Sequence, residues 1–123
     1  MFTRRLILAS GLGLATARAG AQEGRPIRII VPAPPGGPTD ILARAVAERA
    51  QAALGQPVIV DNRAGAGGVI GTEVAARAAP DGLTFVLGHN QTHASNQAMM
   101  ARLPYHVIDS FAPVAKLATV HHA

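Results

Sequence analysis

The stretch Ile27-Arg28-Ile29-Ile30-Val31, with Pro32 to Pro38 (PAPPGGP) directly after it, decides the fold of this chain. A short β-branched run bounded by prolines predicts a buried strand. The proline- and glycine-rich segment cannot continue as a helix or a central strand, so it is predicted to be a loop. A helix then begins at the end of that loop, with Thr39 as the expected N-cap and Asp40 in the first turn, where its charge suits the helix dipole. Gly55 is predicted to end this helix.

The same order of strand, loop and helix occurs twice more along the chain. The further predicted elements are a strand at 58–60, a glycine-rich loop at 61–68, an alanine-rich helix at 69–78, a strand at 83–87, a polar loop at 88–95, a short helix at 96–102 and the start of a fourth strand within 111–120. Three such units with short connections predict an α/β fold, in which helices flank a parallel sheet.

The loops that leave the predicted strands are the candidate functional segments. In open parallel sheets, ligands bind outside the carboxyl ends of the strands. The segments 32–39, 61–68 and 88–95 each follow a carboxyl end. We therefore expect these three loops to gather at one edge of the sheet.

Residues 1–21 have the three parts of a removable secretion signal. A pair of arginines gives a positive start, and 6–17 is an apolar run too short for a membrane span, which takes about 20 residues. Ala19-Gly20-Ala21 supplies small residues for cleavage, with 17–19 as a competing site. The arginine pair also resembles a twin-arginine motif, so both export routes are open. We expect a signal peptide at 1–21 and an exported domain over 22–123.

Removal of the signal changes the charge argument. The whole chain has 11 Lys and Arg against 7 Asp and Glu, a net charge of +4. Arg4, Arg5 and Arg18 leave with the signal, and the remainder carries +1. It also lacks a basic stripe and a set of aromatic side chains for stacking bases. Nucleic acid is therefore not an expected partner.

Several common kinds of site are absent from the sequence. It contains no cysteine, and Gly65 to Gly71 (GAGGVIG) lacks the third glycine of a dinucleotide fingerprint, so no cofactor is expected. No combination of nucleophile, base and carboxylate points to catalysis, so the chain is not expected to be an enzyme. His89 and His93 have a spacing that suits a metal on a helix, but they fall in a predicted loop without a nearby carboxylate. Polar lining of a cleft is the preferred role for them.

Two glycine-rich loops lead into helices, which favours anion binding. Gly36-Gly37 and Gly65–Gly68 each precede a predicted helix start, where exposed N–H groups and the helix dipole form an anion site. Two such ends in one cleft would suit a carboxylate or dicarboxylate, whereas the alternative is that the glycines only form tight turns. Arg63 could clamp a ligand carboxylate, or it could pair with Asp61 or Asp40.

A set of short motifs runs through nearly all of residues 25–118. The motifs are, in order, Pro26 to Pro32, Pro35 to Asp40, Leu54 to Arg63, Gly65 to Gly68, Ile70-Gly71, Pro80 to Gly82, Leu103 to Tyr105 and Asp109 to Val114. Together they resemble the Bug-type solute receptors of tripartite tricarboxylate transporters. The set is specific, whereas no single motif in it is.

The resemblance implies a periplasmic binding protein with two α/β lobes around a cleft. Such a receptor captures a small organic acid (a di- or tricarboxylate, an amino acid or an aromatic acid) and delivers it to membrane permease subunits. A monomer without a metal or cofactor is expected. Together with Arg63, the residues expected to bind the ligand are Ala33, Pro34, Gly36, Gly37, Thr39, Asp40, Gly65, Ala66, Gly67, Gly68, Thr92 and Ser95.

The chain departs from the family pattern in two residues and in length. Gln97 and His106 stand where the family has proline and aspartate, so ligand choice is expected to differ there. Family members are far longer, so the chain is expected to form the first lobe, with the second lobe absent. The alternatives are a truncated fragment that does not bind, a ligand-presenting sensor for a two-component system and, less favoured, an α/β enzyme.

Overall fold

The computed structural model describes residues 24–119, so the predicted signal peptide at 1–21 lies outside the described residues. The elements are, in order, β1 (Ile27–Val31), α1 (Pro38–Leu54), β2 (Val58–Asn62), a 3-10 turn (Ala66–Gly68), α2 (Val69–Ala76), β3 (Thr84–Val86), a π-helical turn (Gln91–Ser95) and α3 (Asn96–Met99). Within the described range, no helix has the length and apolar character needed to cross a membrane.

The three strands form a parallel sheet in the order β2-β1-β3. The apolar run that predicted a buried strand is the central one. Ile29 pairs with Val60 on one side and with Phe85 on the other. The prediction of an α/β fold with a parallel sheet and flanking helices is therefore confirmed.

The main core lies between the sheet and α1. Ile29 and Val31 of β1 pack with Ala43 and Ala47 of α1, and all four are buried. The small alanine side chains let the helix axis approach the sheet closely. On the opposite face, α2 packs against β1 and β3, and Ile30 between them is fully buried.

The β2 half of that opposite face is more open and carries charge. Ile59 is 51% exposed, and Asp61 two residues later forms ion pairs with Arg28 of β1 and with Arg63. The charged side chain of Arg28 is tolerated inside the apolar β1 because it extends to Asp61 on this open half of the face. Asp61 neutralises part of the local positive charge.

The first two helices form where the sequence predicts them, but the N-cap of α1 and the end of α2 differ from the prediction. Gly55 ends α1 in the left-handed conformation, as predicted. The N-cap is Gly37 rather than Thr39, and Thr39 makes no capping hydrogen bond. The reason is that Pro38 already has the dihedral angle of the first helical residue, so the helix starts there, two positions before the start that an N-cap at Thr39 implies. Helix α2 ends at Ala76, two residues before the predicted end.

The segment after β3 corrects the prediction of a polar loop at 88–95. Residues 90–99 are helical and contain the π-helical turn, and α3 stops at Met99 rather than at 102. No glycine or proline interrupts 89–99, so the polar side chains there do not prevent a helix. Within 111–119 no strand forms, and Pro113 removes one donor that a strand would need.

Candidate ligand-binding site

The loops that follow the three strands meet at one edge of the sheet. A Cβ atom placed on Gly68 would lie 3.1 Å from the carbonyl oxygen of Pro32, after β1, and 2.6 Å from Cγ2 of Thr92, after β3. A Cβ on Gly71 would lie 2.6 Å from the carbonyl oxygen of Arg63 and 2.9 Å from the Cα of Pro32. Only glycine fits at these two positions, so the start of α2 packs directly against the end of β1.

The start of α2 also lies where the path of the chain reverses. The chain passes from β1 to β2 on one side and returns across β1 to β3 on the other. Ligands of open parallel sheets bind at such a switch point, outside the carboxyl ends of the strands. The turn Ala66–Gly68, the loop after β1 and the helical segment after β3 therefore form the candidate site.

The loop after β1 is fixed by Asp40, which is only 3% exposed. Its Oδ2 accepts hydrogen bonds from the Gly36 N–H at 2.8 Å and from Arg44 Nε at 3.0 Å, and its Oδ1 accepts one from Asn62 Nδ2 at 2.9 Å. Asn62 also donates to the Ala33 carbonyl and accepts from Arg44, both at 3.3 Å. Both carboxylate oxygens of Asp40 are thus used inside the protein.

These donors hold Asp40 in its ionised form. The hydrogen bond from Arg44, followed by those from Gly36 and Asn62, lowers the pKa of the carboxyl from 3.8 to about 2, against the opposing effect of burial. The carboxylate also lies in the first turn of α1, where it compensates the positive end of the helix. The start of α1 therefore already carries an anion of its own.

The turn Ala66–Gly68 differs in this respect. Neither this turn nor the first turn of α2 contains an acidic side chain. The Gly68 N–H donates to the Gly65 carbonyl at 3.0 Å, whereas the N–H groups of Ala66 and Gly67 have no acceptor among residues 24–119. Gly67 has φ 64°, so the turn depends on a residue without a Cβ. Two open donors at the positive end of a helix suit a carboxylate.

Asn96 holds this turn from the third segment. Its side chain is buried, with 1% exposure. Nδ2 donates to the Gly67 carbonyl at 2.9 Å, and Oδ1 accepts from Gln91 Nε2 at 2.7 Å. Because the Gly67 carbonyl is anchored in this way, the orientation of the peptide group between Gly67 and Gly68 is fixed.

Thr92 and Ser95, two expected ligand contacts, both lie in the π-helical turn. Thr92 is fully buried, and its hydroxyl donates to the His89 carbonyl at 3.0 Å and accepts from the His89 N–H at 3.1 Å. Its carbonyl accepts from the Tyr105 hydroxyl at 2.7 Å. Thr92 therefore anchors the segment, whereas the Ser95 hydroxyl makes no hydrogen bond to another residue of the described range.

His93 lies within this turn, and His89 comes two residues before it. Burial lowers the pKa of both, and His89 lowers the pKa of His93 further. The His93 Nδ1 lies 2.8 Å from Thr92 Oγ1, and its ring centroid lies 5.0 Å from that of Phe111. The part of the chain that the structure describes contains no group of three or more side chains suited to a metal ion. Ring packing and the contact with Thr92 account for His93, whereas His89 contributes its backbone groups to the hydrogen bonds with Thr92.

Arg63 pairs with Asp61, which is one of the roles that the sequence left open. Its Nε donates to Asp61 Oδ1 at 2.9 Å, and Arg28 Nε donates to Oδ2 at 2.8 Å. Burial raises the pKa of Asp61, but the hydrogen bonds from Arg28 and Arg63 outweigh it, so the pKa lies below 3.8. Asp40, the other carboxylate that the sequence offered as a partner for Arg63, pairs with Arg44.

The structure thus sorts the expected site residues by their local roles. Pro34, Gly36, Gly65, Ala66 and Gly67 are exposed at the strand-end edge. Those that are partly or fully buried, or that already have partners, are Ala33, Gly37, Thr39, Asp40, Arg63, Gly68, Thr92 and Ser95. Sequence reasoning missed the supporting roles of Asn62, Asn96 and Tyr105. The motif Leu103 to Tyr105 was a signal for the last, whereas a single asparagine gives no periodic signal.

A family model supplies the decisive comparison. The model described as the tripartite tricarboxylate transporter family receptor matches residues 42–123. The chain belongs to this receptor family. The expectation of a binding protein rather than an enzyme agrees with the family.

A curated relative supports the same conclusion. BugT from Bordetella pertussis is 44% identical, over 94% of this chain and 38% of BugT. The chain therefore spans little more than a third of the length of this relative.

Solved structures of longer proteins contain the same lobe. A structure of a periplasmic transporter is 51% identical with a TM-score of 0.66, over 68% of this chain and 28% of its own. MatC from Rhodopseudomonas palustris with bound malate is 41% identical with a TM-score of 0.71, over 74% and 31%. Rpa4515 from R. palustris with adipate is 36% identical with a TM-score of 0.64, over 66% and 27%.

Proposed function

We propose that this chain contributes the first lobe of an extracytoplasmic receptor that binds a small carboxylate, with a dicarboxylate as the favoured class. The observation that carries the proposal is the turn Ala66–Gly68. It presents the N–H groups of Ala66 and Gly67 at the switch point of the sheet, and it has no acidic side chain of its own. A carboxylate oxygen would complete these two donors.

The remaining expected residues would shape the pocket around this turn. Pro34 and Gly37 lie in the loop after β1, and the Ser95 hydroxyl is available on the segment after β3. Asp40 and Thr92 would support these segments from within, because their polar atoms already have protein partners. Malate and adipate, named with two of the solved relatives, are both dicarboxylates and support the proposed class.

A nuclear magnetic resonance titration tests the proposal at the level of single amides. Malate and adipate are added separately to the 15N-labelled chain, up to millimolar concentration. We expect the largest shifts at Ala66 and Gly67, because a bound carboxylate would accept their hydrogen bonds. Malamide, which has the size of malate without its charge, serves as the control ligand and should cause little change.

Two outcomes would count against the proposal. Equal shifts with malate and malamide would show that charge is not recognised. An absence of shifts at Ala66 and Gly67 with every acid tested would mean that this turn does not bind carboxylates.

The wider setting of the receptor is part of the same proposal. We expect residues 1–21 to be removed during export, residues 22–123 to work in the periplasm as part of a monomeric receptor, and the bound acid to pass to permease subunits of a tripartite transporter. The family description names such a transporter. Cleavage before Gln22, read by N-terminal sequencing of the periplasmic protein, would support this, and retention of Met1 would contradict it.

A further inference from the structure

The two glycine-rich loops are not equivalent, and Asp40 is the reason. Both loops lead into a helix, so the backbone of each alone predicts an anion site. The first loop is followed by a carboxylate that bonds back to it, because Asp40 in the first turn of α1 accepts a hydrogen bond from the Gly36 N–H at 2.8 Å. Within the described residues, the turn before α2 has no corresponding acid.

We propose that Asp40, held by Asn62 and Arg44, is a positioning residue that fills the anion site of the α1 start from within, so that a ligand carboxylate is directed to the turn Ala66–Gly68. This inference rests on the proposed function. It adds to that function an internal anion that selects one of two similar loops.

The hydrogen bonds around Asp40 hold its carboxylate in one position against the Gly36 N–H. Asp40 is the third residue of α1, and its side chain reaches back beyond the N-cap to Gly36, in the manner of a capping box extended by one residue. Asn62 closes the network, because it bonds to Asp40 and to the Ala33 carbonyl from the end of β2. One carboxylate thus joins the loop, the helix and the neighbouring strand.

The charges point the same way. Arg44 lies one helical turn from Asp40 and is more than half exposed. It offsets part of the negative charge of Asp40, while the carboxylate keeps its other hydrogen bonds. A second carboxylate at the α1 start would lie beside Asp40, and like charges at that distance repel each other. The turn Ala66–Gly68 carries no such repulsion of its own.

The first measurement does not depend on any ligand. Amide hydrogen exchange of Gly36 is followed in the full chain, with Gly37 as the internal reference. We expect Asp40→Ala to speed exchange of Gly36 by about tenfold or more, since it removes a charge-assisted hydrogen bond. Asn62→Ala should speed it less. Glu48→Gln, which removes an exposed charge from the same helix, should leave it unchanged.

The second measurement uses malate as the probe. In the unmodified chain, malate should shift Gly67 and leave Gly36 unaffected. In Asp40→Ala, the vacated start of α1 should respond, so that Gly36 and Gly37 now shift as well. If Asp40→Ala does not fold, Asp40→Asn provides the same comparison with the shape of the side chain retained.

The outcomes separate this inference from the proposed function. Unchanged Gly36 exchange in Asp40→Ala and Asp40→Asn, or malate shifts at Gly36 as large as those at Gly67 in the unmodified chain, would overturn the inference. If malate shifts neither loop in any variant, the proposed carboxylate binding fails. The exchange of Gly36 then still decides whether Asp40 fills the start of α1.

Discussion

Asp40 links the stability of the lobe to acidity. Its pKa of about 2 in the folded chain lies below the ordinary value of 3.8, so its ionised form stabilises the fold fully above pH 3.8. This contribution is lost as the pH falls from 3.8 towards 2. We expect the denaturation midpoint of the unmodified chain to fall across that window and the midpoint of Asp40→Asn to change less. A variant curve parallel to that of the unmodified chain would contradict this linkage, and Glu48→Gln is the control.

His89 and His93 should make stability depend on pH in a second, higher pH range. Burial lowers the pKa of His89 and His93 in the folded chain below the usual 6.5, so below that pH the unfolded chain takes up protons first. Stability should therefore fall as the pH drops below 6.5. Thermal melts between pH 7.5 and 5 test this. The double variant with both histidines replaced by glutamine should have a flatter profile, whereas an equally steep one would rule out these residues as the cause.

Asn96→Ala should weaken the candidate site and the fold together. The change leaves the Gly67 carbonyl and the Gln91 amide without their partner. Loss of a buried hydrogen-bonding group costs about 1–3 kcal/mol, and the exposure of Gly67 favours the lower part of that range. Chemical denaturation measures the loss. Gln97→Ala, at the exposed neighbouring residue, should cost much less, and equal losses would argue against a special role for Asn96.

At the scale of elements, the π-helical turn depends on Tyr105. The hydroxyl of Tyr105 donates to the carbonyl of the fully buried Thr92. Tyr105→Phe removes this bond but keeps the ring that packs edge-on against Phe111. We expect a loss of about 1–3 kcal/mol in the free energy of unfolding, because the Thr92 carbonyl is left unpaired. Tyr105→Leu, which also removes the ring, should cost more. No loss in Tyr105→Phe would show that water replaces the hydroxyl.

The strands and the first helix were predictable because their signals are local. The apolar run of β1, the proline-glycine loop and the start of α1 lie next to one another, and Gly55 marks the end of that helix. The helical turn at 91–95 was not predictable in this way. Its polar residues are typical of a loop, and the bonds of Thr92 to His89 and to Tyr105 depend on the folded chain.

The position of the candidate site was predictable, but the hydrogen bonds within it were not. Parallel topology alone brings the three loops to one edge. Which of the two glycine loops has an open anion site depends on the direction of one carboxylate, and Asp40 gives no sequence signal of that direction. The partners of Asn62 and Asn96 are likewise set by tertiary packing.

At the scale of the whole molecule, the chain alone should have a low affinity for malate and adipate. The chain spans 38% of BugT and 31% of MatC, and ligand pockets normally bury most of the surface of a small ligand. We expect calorimetry of residues 22–123 to detect no micromolar binding of malate or adipate. Micromolar binding by this piece would show that one lobe suffices.

The central position of β1 also bears on how the chain reaches its folded state. Both neighbours of β1 come later in the sequence, so this apolar strand has no pairing partner until Val58 and then Thr84 have followed it. An unpaired run of isoleucine and valine is a site for aggregation. Arg28 interrupts that run on the face where its charge remains compatible with the finished sheet. We therefore expect Arg28 to oppose association of β1 with other chains before β2 and β3 have paired with it.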